Sequence, residues 1–205
     1  MKKLVFIAAL LLLCVAACFF SDKKSPVEQV QTEHEEEAVE LSIEPEDVAH
    51  ISKVHDDFNE RTNVSYIGNK KKGSFFMSAS YSIEENDILK NRLPKPQAKD
   101  FMLCVIASRK GARDVSRVEL TINKAVYVFR PNYTKDEGNG KFTMLFNFGR
   151  LLDNLSYPKY IAFADHAEAR VIFDNGSDSY ELSKDDLKPV SIIYKSYIND
   201  GGKFE

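Results

Sequence analysis

From Gly73 onward, apolar and polar residues repeatedly alternate with a period of two, the pattern of a half-buried strand. Phe75, Met77, Ala79 and Tyr81 alternate with Phe76, Ser78 and Ser80. Val118, Leu120 and Ile122 alternate with Arg117, Glu119 and Thr121, and Phe142, Met144, Phe146 and Phe148 repeat the pattern. Phe101 to Ala107 is instead an unbroken apolar run, which predicts a central strand covered on both faces. Val64 to Ile67 predicts a further short strand, and Asn123-Lys124 a turn into Ala125 to Phe129. The clearest local signal is Asn175-Gly176 between Ala169–Phe173 and Ser179–Leu182, because Asn-Gly accepts the positive φ angles of a tight hairpin. It sets Phe173 and Tyr180 close enough in sequence to pair across the strands.

Helical signals flank these strands. Pro45, Glu46 and Asp47 suit a first turn, and Val48, Ile51, His55 and Phe58 follow a roughly helical spacing, so a helix is expected over 45–60. Ser82-Ile83-Glu84-Glu85 has capping-box form and predicts a short helix to about Arg92, before Pro94 and Pro96 break the chain. Arg150 to Ser156 reads as a short helix, and Tyr160 to Phe163 as a strand or a connection. Pro131 to Gly140 reads as a loop by its turn residues. Ser183-Lys184-Asp185-Asp186 caps a last helix, restarted at Pro189, with Val190, Ile193, Tyr194 and Tyr197 on one face and Gly201-Gly202 at its end. The order predicts an α+β fold: mainly antiparallel β, a sandwich or partly open barrel, with flanking helices including a C-terminal one.

The N-terminus has a different pattern. Lys2 and Lys3 precede an unbroken apolar run from Leu4 to Leu13, and small residues then lead to Cys18. That is the order of a secretory signal peptide. Val15-Ala16-Ala17-Cys18 resembles the lipobox of bacterial lipoproteins. The resemblance covers the signal alone and implies cleavage before Cys18, with a diacylglyceryl group on its sulfur and palmitate-type acylation. Ordinary cleavage without lipid, and an uncleaved span over Leu4–Phe20, are the rival readings; the second is at the short limit for crossing a bilayer. Cys14 follows the bulky Leu13 and is the poorer lipidation candidate. Two acyl chains give stable anchoring where one does not. Phe19 stands where an Asp would retain an enteric lipoprotein at the inner membrane, which favours the outer membrane or cell surface.

Charge divides the remainder. Residues 21–47 carry ten acids and two bases, whereas residues 48–205 carry 21 acids and 24 bases. The predicted organisation is a signal peptide over 1–17, a lipidated acidic disordered tether over 18–44, and a single β-rich domain over 45–205. The whole chain has 14 Phe and 9 Tyr, enough for an ample core, while the absence of Trp argues against Trp-based sugar stacking. After cleavage only Cys18 and Cys104 remain, so no intramolecular disulfide is expected. Cys104 lies in an apolar run and reads as an inert core thiol.

Candidate chemistry is sparse. His50, His55, Asp56 and Asp57 suggest a metal, but two histidines five apart do not share a helix face. His34 lies among glutamates and reads as part of a solvated run. Asp165-His166 resembles half of a triad, but adjacent residues rarely face each other. Asp174, Asn175 and Asp178 suggest calcium, although turn chemistry already accounts for them. No nucleotide loop, zinc spacing or GxSxG elbow is present, so no catalytic residue, metal or cofactor is assigned. Arg109, Lys110, Arg113 and Arg117, with Lys70 to Lys72, are candidates for contact with anionic envelope polymers or lipid headgroups. Nucleic acid is not an expected partner of an exported chain. The sequence points to a membrane-anchored envelope lipoprotein that binds or scaffolds, with Cys18 as its assigned site and an envelope protein or anionic polymer as partner. The alternatives are an exported enzyme acting on cell-wall or lipid material, with Asp165, His166 or the acidic hairpin in its site, and an assembly accessory that grips a partner strand by a sheet edge.

Overall fold

The computed structural model describes residues 41–68, 73–84, 97–148 and 157–204. The order is α1 (Pro45–Val48), β1 (Ile51–Asp56), β2 (Arg61–Tyr66), β3 (Phe75–Glu84), β4 (Gln97–Ser108), β5 (Val115–Ile122), β6 (Ala125–Phe129), β7 (Tyr133–Gly138), β8 (Lys141–Asn147), α2 (Tyr157–Ala162), β9 (His166–Phe173), β10 (Gly176–Ser183) and α3 (Lys184–Asn199). The strands form a six-stranded sheet ordered β1-β2-β3-β4-β8-β7 and a four-stranded sheet ordered β10-β9-β5-β6. The fold is α+β, and the strand pairs are antiparallel.

Alternation decides which face of each sheet turns inward. Val118, Leu120 and Ile122 of β5, Ala167, Ala169, Val171 and Phe173 of β9, and Phe142, Met144 and Phe146 of β8 are buried. The two inner faces meet as a sandwich: Phe142 packs on Phe173 with ring centroids 6.0 Å apart, and Phe129 on Phe146 at 6.1 Å. Each buried Val, Leu, Ile, Met or Phe side chain among these contributes roughly 1.5–3 kcal/mol of transfer free energy. At the other end of the large sheet α3 takes over as cover. Its Tyr194 and Tyr197 meet Phe101 edge-on, and Tyr197 meets Tyr81. The expected face of Val190, Ile193, Tyr194 and Tyr197 is the buried one.

The α3 boundaries follow local chemistry. Ser183 and Asp186 form the expected capping box, with the Ser183 N–H donating to Asp186 Oδ2 at 3.0 Å. The helix runs unbroken through Pro189 rather than restarting there. The buried ring removes one hydrogen bond in the second turn, and burial of the flanking Leu187 and Val190 outweighs that loss. At the far end Gly201 and Gly202 donate to Ile198 and Tyr197 carbonyls, closing the helix as a Schellman motif.

Several expectations are corrected. The helix expected over 45–60 ends at Val48, and Ile51–Asp56 is an edge strand paired with β2. Phe58, counted on the helix face, is 93% exposed in the turn that follows. There Asp56 accepts the Phe58 and Asn59 N–H groups, an Asx turn that reverses the chain before a helix can propagate. Ser82-Ile83-Glu84 continues β3 instead of capping a helix, because Arg61–Ser65 and Gln97–Lys99 pair on its two sides; the rest of the helix expected to Arg92, and the helix of Arg150–Ser156, lie outside the described residues. Tyr160 and its neighbours are helical, not extended. Pro131–Gly140 contains β7, whose polar Thr-Lys-Asp-Glu run is an edge strand paired, among the described residues, with β8 alone. β4 is fully buried only on the face of Phe101, Leu103, Val105 and Ala107; Met102, Cys104 and Ile106 on the other face are half-buried. Within the hairpin Phe173 opposes Gly176 and Tyr180 opposes Ala169, so Phe173 and Tyr180 do not pair.

Order begins ahead of residue 45. The Leu41 N–H donates to Asn199 Oδ1 and the Asn199 amide donates back to the Leu41 carbonyl, both at 2.8 Å. Leu41 also packs against the core.

Candidate functional site

A cleft of about 390 Å³ opens where the start of β3, the free edge of β10 and the first turn of α3 converge. Its walls are aromatic: Tyr66 from β2, Phe75 and Phe76 from β3, and Tyr180 from β10, joined by Met77, Leu182 and Pro189. Phe75 and Tyr180 stack at 4.7 Å, tying the two sheets together at this point. Glu181, Asp185 and Asp186 line the rim. Asp186 is committed to the helix cap, whereas Glu181 and Asp185 are exposed.

The Tyr180 hydroxyl is out of contact with solvent and has no hydrogen-bond partner among the described residues. Burial, then the negative charge of Asp178, pushes its pKa up, so the group stays a neutral phenol. The Ser74 hydroxyl opposes that rise but lies outside hydrogen-bonding geometry. A buried polar group without a partner costs about 1–3 kcal/mol, and a bound molecule that completes the bond recovers part of it.

Beyond Ser74 and Tyr180 the cleft continues into a shallower basin lined by Ser108, Arg109, Lys110, Asn175, Asp178 and Ser179. Arg109 organises this end. Its guanidinium donates to Asn175 Oδ1 at 3.0 Å, to the Ser177 carbonyl at 3.2 Å, and to the Asp178 carboxylate. Its backbone N–H donates to the Gly140 carbonyl at 2.9 Å. Gly140 has φ +71°, and a Cβ there would lie 2.0 Å from the Arg109 carbonyl oxygen, so only glycine allows the two loops to meet. Gly176, at φ +138°, likewise leaves room for the guanidinium, which a Cβ would approach to 2.7 Å.

The residues singled out in the sequence are distributed as follows. Arg109 and Arg117 of the basic loop are internal partners, of Asp178 and Glu119, leaving Lys110 and Arg113 exposed; Lys70 to Lys72 lie outside the described residues. Asp174 accepts the Arg113 N–H at 3.0 Å, which holds its carboxyl below the usual range, and Asn175 and Asp178 hold Arg109. The hairpin's Asp174, Asn175 and Asp178 side chains thus have partners within the protein. Asp165 pairs with Lys184 at 3.1 Å, and His166 is exposed at the start of β9. His55 lies between Thr62 and Asp57 on an exposed hairpin, while His50, at the opposite end of β1, packs against Tyr66. Among the described residues no three His, Cys, Asp or Glu side chains converge on one point. Cys104 is a half-buried thiol on the outer face of β4. Cys18 and His34 lie outside the described residues.

Sequence reasoning missed the cleft. Tyr66, Phe75 and Tyr180 are far apart in sequence and each reads as an ordinary strand residue. Tyr180 shares a strand face with Leu182 and alternates with the exposed Ser179 and Glu181, and that parity was the one signal that its ring turns inward. No family model, curated protein or solved structure matches this chain.

Proposed function

We propose that the protein is a lipid-anchored bacterial envelope lipoprotein that acts as a binding module, with Cys18 carrying the acyl chains at the outer membrane or cell surface. Val15-Ala16-Ala17-Cys18, directly after an apolar run, supports the anchor. Among the described residues no helix is long and apolar enough to cross a membrane. The observation that carries the binding role is the aromatic cleft with the Tyr180 hydroxyl at its wall, unpartnered among the described residues. An apolar, ring-lined cavity with a few polar groups is the usual form of a small-ligand site. The aromatic faces and the carboxylates of Glu181 and Asp185 favour an apolar stem ending in an ammonium group, which donates to the Tyr180 oxygen. This chemistry fits a free amine or a lysine side chain of an envelope peptide.

Two measurements test the reading. Cys18→Ser abolishes labelling by a fatty-acid analogue and releases the chain from membranes; unchanged labelling sinks the anchor and points to Cys14. For the cleft, the absence of Trp leaves tyrosine emission as a direct reporter. Hexylamine changes that emission saturably in the full chain, hexanoate does not, and Tyr180→Phe weakens the response roughly tenfold. Equal responses to amine and carboxylate overturn the ligand chemistry, and no saturable response to either overturns the site.

A further inference from the structure

The four-stranded sheet ends on β6, and this edge is built unlike the other three edges of the sandwich. β1 carries Lys53, His55 and Asp56, and β7 carries Lys135, Asp136 and Glu137. β10 carries Asp178 and Glu181, with Arg109 set over its Ser177 carbonyl. Charges and covers of this kind keep free edges from pairing. β6, Ala-Val-Tyr-Val-Phe, has no charged residue, and among the described residues no strand lies on its outer side. Val126 and Val128 are 61% and 51% exposed.

The register shows which backbone groups of β6 are open. Ile122 opposes Ala125 across Asn123-Lys124, whose φ angles are +51° and +70°. In a two-residue hairpin that flanking pair is hydrogen-bonded, and bonded and non-bonded pairs alternate from it. The N–H and C=O groups of Ala125, Tyr127 and Phe129 therefore face β5, and those of Val126 and Val128 face outward.

We propose that β6 pairs antiparallel with β6 of a second copy of this chain, about a two-fold axis through Tyr127, joining two four-stranded sheets into one of eight strands. The pattern is self-complementary. Val126 lies opposite the partner's Val128 and exchanges both hydrogen bonds with it, and the symmetric pair repeats the exchange. All the outward groups of Val126 and Val128 are then satisfied, and the exposed valines become apolar cross-strand pairs. Tyr127 meets the partner's Tyr127 at the intervening position. Tyr160, stacked on Tyr127 at 5.8 Å and 48% exposed, flanks the seam. A strand pair of this length buries less than the ~1,600 Å² of a standard interface, so the dimer is a weak, reversible one. The inference is independent of the cleft and of the anchor.

Register-specific crosslinking tests it. Two tagged pools of the full-length chain are made in detergent with Cys14→Ser, Cys18→Ser and Cys104→Ser, one carrying Val126→Cys and the other Val128→Cys. In the proposed register 126 faces 128, whereas like positions are offset by two residues and lie beyond the ~7 Å Cα separation a disulfide can bridge. Under diamide the mixed pools crosslink on the order of tenfold faster than either alone. In sedimentation the unmodified full-length chain shows concentration-dependent dimers, and Val128→Lys stays monomeric with an unchanged melting temperature. Equal crosslinking in all pools, preferential like-with-like crosslinking, a chain that is monomeric at all concentrations, or a dimer that survives Val128→Lys would each overturn the proposal.

Discussion

β6 and β10 close the same four-stranded sheet at opposite ends, and they treat their free backbone groups in opposite ways. β10 has its free Ser177 carbonyl covered by Arg109, a side chain delivered from the β4–β5 connection and held in place by Asn175, Asp178 and the Gly140 carbonyl. β6 has no such cover among the described residues and carries two exposed valines instead. An edge strand always presents donors and acceptors, and a protein either occupies them itself or leaves them for another chain. One arginine makes the difference here: β10 lines the cleft with its Ser177 carbonyl occupied, whereas β6 remains open among the described residues.

The largest expected effect comes from breaking the covered edge at its hub. Gly140→Val forces a Cβ into the Arg109 carbonyl at a positive φ, and costs about 3 kcal/mol or more by strain and overpacking. A loss below 1 kcal/mol in chemical denaturation would mean that the two loops part without consequence. Arg109→Ala follows, at about 2 kcal/mol, because it leaves Asp178, Asn175 and the Ser177 carbonyl without their donor. It also weakens amine binding in the cleft, since Tyr180 loses the strand that holds it. Arg109→Lys restores little, because a point charge cannot serve three divergent acceptors.

Val128→Lys sharpens the comparison from the other side. The residue touches solvent rather than core, so stability changes by no more than about 0.5 kcal/mol in the same denaturation assay. The smallest effect is confined to acid. The Asp174 carboxyl is held below its ordinary value of 3.8, first by the Arg113 N–H and then by other backbone donors. A depressed folded-state pKa gives stability that is present above the unfolded value and lost as pH falls through the folded one. Asp174→Asn therefore leaves melting at pH 7 nearly unchanged and flattens the decline below about pH 4. An unaltered acid limb would remove Asp174 from the covered end.

Residues that obey a local rule were legible in advance. The β9–β10 hairpin, the capping box at Ser183 and the buried face of α3 follow from turn chemistry and periodicity over a few residues. β7 was not legible, because an edge strand exposed on both faces has no alternation to display. The helix expected over 45–60 failed for a related reason: four residues at helical spacing are a weaker signal than the pairing partner that β2 supplies. The Tyr81 hydroxyl shows a further limit. It lies within hydrogen-bonding distance of Ser196, at 2.8 Å, and donates to Asp200, at 2.5 Å. Those partners are more than a hundred residues away along the chain.

By itself the sequence determined the antiparallel β-rich class, most strand positions and the ends of the last helix, because each depends on interactions between near neighbours in the chain. Tertiary structure alone decided which edges are covered, where the cleft lies, and that Arg109 serves the fold while Val126 and Val128 do not. These depend on which strands become neighbours across two sheets, and a period-two pattern that places a residue on a face is silent about what that face will meet.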